Sequence, residues 1–311
     1  MKVRTFATTI LLCAAVADAR AQGVPPYFAP GVITIPEATT YRPTFSPDGR
    51  TVIYSMEVGS DYVLLQSRRV GGRWTAPEVL PFSGRWSDAE AALSPDGRTL
   101  VFASKRPRTG TEPRTDYDLW MVERAPDGRW ETPRPLDALS TPANELYPAL
   151  TRGALYFARS SRETGSDLFR AARRGDGFGA AEPVSAINTD RGEAGVWVDA
   201  DERAMLFDSN RAGGLGGTDI YLSCRQGDTW GAPRPLPAPV NSAAQETSGV
   251  LSPDGRTLYF TSNRRAPDAP ALGAGVTYAE LLRHSRGLGT GRWHTHEIPV
   301  PFACSIDPAP R

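Results

Sequence analysis

The stretch "LSPDGRTLYFTSNRR", residues 251–265, has near copies at "FSPDGRTVIYSM" from Phe45 and "LSPDGRTLVFASKR" from Leu93. A chain that repeats one turn-and-strand segment must stack its copies, because a single short sheet cannot cover both of its own faces. From residue 40 the repeat gives five units, each with four short runs of strand character. First runs end at Phe45, Leu93, Leu150, Val198 and Leu251, and second runs begin at Thr51, Thr99, Ala154, Ala204 and Thr257. Third runs start at Asp61, Asp118, Asp167 and Asp219, with "YAELL" from Tyr278 as the fifth. Fourth runs follow an aromatic residue and a proline: Trp74 with Pro77, Trp130 with Pro133, Phe178 with Pro183, Trp230 with Pro233 and Trp293 with Pro299. All these runs are β-branched or aromatic and bounded by Gly, Pro, Asp or Asn, and helical periodicity is nowhere sustained.

In "SPDG" the proline presets φ, and the glycine takes the left-handed conformation that closes a hairpin. Asp48, Asp96 and Asp254 therefore belong to turns. A phosphate-binding loop would need Gly-Lys-Ser/Thr after the glycine, which is not there. Four antiparallel strands per unit, set radially so that neighbours cover one another, make a β-propeller. The fold class is all-β, a β-propeller of four-stranded antiparallel blades. Five units imply five blades, and "GVITIP" from Gly31 offers a further outer strand that closes the ring or begins a sixth blade.

"SPDGRTLYFTSNR" and "SNRAGGLGGTDIYLS" resemble the WD40-like propeller repeats, often called PD40, of the TolB-like periplasmic proteins. The resemblance covers residues 40 to about 300 and implies the fold and an envelope location. It is far less specific for function, because one fold hosts many activities. TolB-like proteins carry another domain ahead of the propeller, and here about 18 residues separate the expected cleavage site from the first unit. The partnership with the Tol and Pal proteins is therefore not part of what the resemblance implies. Unit three also departs from the pattern, with Thr151, Arg152 and Gly153 in place of the turn.

Residues 1–21 read as a secretory signal peptide. Lys2 and Arg4 precede an apolar run from Phe6 to Val16, and "ARA" ends before Gln22. The run is shorter than the roughly 20 apolar residues of a membrane span, so no span is expected after cleavage. The organisation is a signal peptide at 1–21, an N-terminal segment at 22–39, the propeller at 40–303 and a tail at 304–311, in a periplasmic or secreted protein. Outside the leader, Cys224 and Cys304 either form a disulfide or are two small buried side chains.

Basic and acidic residues balance at 35 each, which excludes the clustered basic excess of a nucleic-acid surface. No cofactor motif occurs, and no Gly-x-Ser-x-Gly elbow of a linked peptidase. His294 and His296 are two apart, so on a strand both face one side. A metal would need a third ligand that the neighbouring sequence does not supply.

Alternating strand directions put the "SPDG" turns on one face of the ring and the loops between second and third strands, with the links between blades, on the other. That second, loop face carries the variation, and variable loops on a regular scaffold are where binding resides. Its candidate contacts are Arg85, Trp86, Arg108, Arg114, Asn210, Asn263 and Arg265. A sharper series is Asp88, Glu145, Glu193 and Glu246, six residues before the turn, with Arg106, Arg162, Arg211 and Arg264 after the second strand. Each acid is expected to pair with its own arginine within its hairpin, near the channel mouth. Unit one has Thr40 and Glu57 instead.

Three readings of function follow. The first is an exported, non-enzymatic propeller that binds an envelope protein or other macromolecule. The second is a propeller glycosidase with two free carboxyls at the channel mouth, about 5–5.5 Å apart if retaining and about 6.5–9.5 Å if inverting. The third is a structural adaptor without its own ligand. Oligomeric state is open.

Overall fold

A computed structural model of the chain describes residues 23–161, 165–266, 277–280 and 287–304. The signal-peptide expectation falls outside them. The strands form five antiparallel sheets arranged as a five-bladed β-propeller. Innermost strands are Thr40–Phe45, Asp88–Leu93, Asn144–Leu150, Glu193–Val198 and Glu246–Leu251. Thr51–Val58, Thr99–Ser104, Ala154–Ser161, Ala204–Ser209 and Thr257–Ser262 come next in each blade.

Turn chemistry works as the repeat implies. The Ser46 hydroxyl donates to Asp48 Oδ1 at 2.5 Å and accepts from Thr51 N–H at 2.9 Å, while Asp48 Oδ1 accepts from Arg50 N–H at 3.0 Å. The same three bonds recur at Ser94 and Ser252. In blade four Asp199 replaces the serine, accepting from the backbone of Arg203 and Ala204. A carboxylate acceptor thus keeps a turn that lacks the motif.

Blade five differs from the expected layout. Its third strand is His294–Pro299, whereas residues 278–280, assigned to that strand from "YAELL", make a helical turn. The insertion after the second strand is longer than in the other blades, and among the described residues the next strand is the one after Trp293. Ring closure is also shifted. Tyr27 bridges His296, Phe28 N–H donates to Thr295 O at 2.9 Å and Glu297 N–H to Pro26 O at 3.0 Å. Residues 26–28 thus cover the outer edge of blade five. The "GVITIP" run forms no strand; Thr34 and Ile35 make only local bridges to Pro30 and Ala38, because Gly31, at φ +81°, turns the chain there.

Phe28 seals the joint between first and last blades, packing on Phe45, Trp74 and Tyr259 with ring centroids 6.0, 5.9 and 4.6 Å away. Four further apolar clusters fill the remaining seams, so the core is a ring of interfaces and not one central mass. A disulfide joins Cys224 of blade four to Cys304, beyond the last strand. Among the described residues no helix is long and apolar enough to cross a membrane.

Candidate functional site: the channel and its two mouths

Every innermost strand carries a β-bulge three residues before its end. The residues there are Arg42, Glu90, Tyr147, Gly195 and Ser248, with φ of +47°, +55°, +54°, +53° and +55°. Four of the five are not glycine, and a left-handed conformation at such residues persists only where its surroundings enforce it. The ring holds one cation, one acid, one phenol, one hydroxyl and one gap. That gap is filled from behind, because a Cβ on Gly195 would lie 1.4 Å from Asp208 Oδ1. Asp208 Oδ1 accepts from Ser248 N–H at 3.0 Å, and in the equivalent place Ser55 Oγ accepts from Glu90 N–H at 2.9 Å. A second-strand side chain thereby steadies the bulge of the next blade.

Arg42 is 2% exposed. Its Nη2 donates to Pro148 O at 2.8 Å and to Val196 O at 2.5 Å, and its Nε lies 3.8 Å from Glu90 Oε2. A side chain from blade one that reaches blades two, three and four must cross the axis of a five-bladed ring. Burial pushes the Glu90 carboxyl up to about 7 against the pull of Arg42, and Asp208 up to about 6. Burial also drives the Tyr147 phenol well upward.

The acid and arginine series forms a second layer. Asp88 Oδ1 lies 2.8 Å from Arg106 Nη2, Glu193 Oε1 2.9 Å from Arg211 Nη2 and Glu246 Oε1 3.0 Å from Arg264 Nη2. A hydroxyl joins each: Ser104, Ser209 and Ser262 donate to the same oxygens. Each arginine also reaches back to the link from the preceding blade, at Phe82 O, Ile187 O and Val240 O. These pairs therefore tie blade to blade as well as strand to strand. Asp88, despite its shorter side chain, is held as closely as the glutamates. In blade three Glu145 is held by Arg159 Nε at 2.9 Å, and Arg162, its expected partner, lies outside the described residues. Although the turn at Thr151 is shorter than "SPDGR", the ladder keeps its register: Arg159 stands directly across from Glu145, at the position where blades two, four and five have Ser104, Ser209 and Ser262. Burial pushes the Asp88 and Glu145 carboxyls up, opposed by their arginines.

Most loop-face candidates are engaged inside the fold. Arg108 Nη2 and Arg114 Nε converge on the Asp118 carboxylate at 2.9 and 2.7 Å. Asn210 Oδ1 accepts from Gly192 N–H at 3.1 Å and Asn263 Oδ1 from Gln245 N–H at 2.9 Å, each steadying the entry to an innermost strand. Arg265 is bridged to Thr290. The Arg85 guanidinium lies 4.8 Å from the Trp86 ring, and both line a shallow groove of about 300 Å³ with Lys105 and Val58.

His294 and His296 lie inside the ring closure, each 1% exposed. His296 Nδ1 is 2.7 Å from Pro25 O, so that nitrogen carries the proton and donates; its ring packs on Tyr27 at 4.7 Å and Phe260 at 5.5 Å. Burial holds both imidazoles down to about 4. Among the described residues no three His, Cys, Asp or Glu side chains are grouped to hold a metal.

The larger cavity is a funnel of about 650 Å³ on the turn face, ending on Arg42. Phe45, Leu150, Trp197 and Leu251 wall it, and Arg152, Asp201 and Arg203 stand at its rim. Val300 and Phe302, next to the disulfide, complete one side.

No protein-family model and no curated protein matches the sequence. Solved structures match by shape. The chain resembles a putative TolB from Agrobacterium tumefaciens at 15% identity, covering 85% of this chain and 91% of that one, with TM-score 0.50. It equally resembles an alpha-L-arabinofuranosidase from Podospora anserina, solved in complex with cellotriose, at 12% identity over 89% and 96% of the two chains, with TM-score 0.50. Likeness at these identities establishes the propeller fold, shared by a TolB and a glycosidase alike.

Proposed function

We propose that this chain is an exported, non-enzymatic binding module of the cell envelope that receives a segment of a partner macromolecule in the turn-face funnel. One observation carries the reading: each carboxylate lining the funnel is already engaged. Asp199 pairs with Arg203, Asp201 with Arg152, and Asp254 accepts from the Ser252 hydroxyl. An apolar wall with a charged rim, whose carboxylates are all engaged, suits docking better than hydrolysis. Export rests on the leader, and a macromolecular partner on the resemblance to TolB-like propellers.

Glu90 and Asp208 favour a second reading, a carbohydrate-active hydrolase, since burial raises both carboxyls toward the range of acid–base chemistry. One experiment separates the two. Mature protein and a Trp197→Ala variant are used to capture partners from their own envelope, while Glu90→Gln and Asp208→Asn are assayed on arabinoside and glucoside oligosaccharides. Partners lost with Trp197→Ala, and no hydrolysis by any form, are expected. Hydrolysis that disappears in Glu90→Gln or Asp208→Asn overturns the binding reading.

A further inference from the structure

Blade one departs from the acid and arginine series, and the departure reshapes the loop-face mouth of the channel. Thr40 stands where the other blades have a buried acid, and Glu57 ends up exposed beside the mouth. The Tyr41 hydroxyl lies 3.4 Å from Glu57 Oε2. Its ring meets Tyr62 edge-on at 5.9 Å and Trp293 at 6.5 Å, giving an aromatic wall that spans blades one and five. Deeper in stands Glu90, whose side chain is 10% exposed and whose Oε2 has no hydrogen-bond partner among the described residues. After burial, the charges acting on Tyr41 and Tyr62 are negative ones, Glu57 and Glu90 among them, and they help push Tyr62 up to about 12 and Tyr41 higher. Two cations flank the mouth: Arg42 lies beneath Glu90, and Lys105 Nζ sits 4.8 Å from the Tyr117 ring.

We propose that this mouth binds an alkylammonium group, held against the Tyr41 and Trp293 rings and between the carboxylates of Glu57 and Glu90. Ring faces attract a cation within about 6 Å, and most strongly one that sheds its water easily. A small divalent ion would want more oxygen ligands than two carboxylates supply. The site lies across the ring from the funnel and is independent of what docks there.

An ammonium can come from the lysine side chain of a partner or from a free polyamine, and calorimetry on the mature chain separates these sources. Probes are N-acetyl-lysine methylamide, its norleucine counterpart and spermidine, with Trp293 fluorescence as a second readout. Lysine amide should bind and norleucine amide should not. Tyr41→Ala and Glu57→Gln should each weaken lysine amide by about tenfold, while Trp197→Ala in the funnel leaves it unchanged. Glu57 is exposed, so Glu57→Gln folds normally and remains informative if Tyr41→Ala does not. Tighter binding of lysine amide than of spermidine assigns the site to a partner side chain, and the reverse to a free polyamine. Equal binding of the norleucine amide, wild-type binding in Glu57→Gln, or no binding of either amine at millimolar concentration overturns the proposal.

Discussion

At the scale of the residue, Arg42 decides most. It is buried, holds a left-handed backbone conformation, and touches three other blades through two carbonyls and one carboxylate. Nothing in the residue types of the repeat announces it, because the five bulge positions carry Arg, Glu, Tyr, Gly and Ser. What they share is position, three residues before the end of the first run, so register within the repeat was the available signal and chemistry was not. Arg42→Met fills similar space without charge and leaves Glu90 and two carbonyls unpartnered. Breaking such a buried pair removes about 3–5 kcal/mol of stability. The loss should depend on pH in a definite direction. Glu90 is raised to about 7 even with its partner present, and losing the pull of Arg42 raises it further; at pH 5 the acid is neutral with or without Arg42, whereas at pH 8 the variant must either hold it protonated above its ordinary range or bury it as an unpaired charge. Urea unfolding at the two pH values should therefore show the larger loss at pH 8. Equal losses would mean that Arg42 acts through its carbonyl contacts alone.

At the scale of the element, the latch of acid, serine and arginine shows how far the sequence could be read. Recurring spacing revealed Asp88, Glu193 and Glu246 with their arginines, because charge pairs leave a signature at fixed separation. Serine as the shared third member leaves no such signature, since a hydroxyl in a strand looks like any polar residue. Blade three departs by substitution: the ladder keeps its register, but Arg159 stands at the serine position and holds Glu145 directly. The reach of each arginine to the preceding link could not be read at all, because it depends on how blades sit together. Glu193 is fully buried and the Arg211 side chain 14% exposed, which places the pair between the surface and interior limits. A double-mutant cycle on Glu193 and Arg211 should give a coupling of about 2 kcal/mol, above the roughly 0–1 kcal/mol of an exposed pair and below the 3–5 kcal/mol lost on breaking a fully buried one. Coupling near zero would show that the Ser209 and Thr189 hydroxyls hold Glu193 unaided.

At the scale of the whole molecule, a ring is only as stable as its closing seam. Four seams join blades consecutive in sequence, whereas the fifth must join residues some 250 apart, as Thr34 Oγ1 to Thr295 O shows with its separation of 261. Closing so long a loop costs entropy that only the contacts formed there can offset. Here those contacts are the two backbone bonds of residues 26–28, the His296 bond to Pro25 and the apolar plug of Phe28. Phe28 is 2% exposed and meets rings from both terminal blades edge-on. Phe28→Ala leaves a cavity between them, for which large-to-small core changes predict a loss of about 3–5 kcal/mol. Where the loss shows matters more than its size. If the seam closes the ring, amide exchange should accelerate first along His294–Pro299 and Thr40–Phe45, while blades two and three, remote from the seam, keep their protection until global unfolding. Uniform acceleration across all five blades would mean that the propeller unfolds as one unit and that no seam is weaker than the rest.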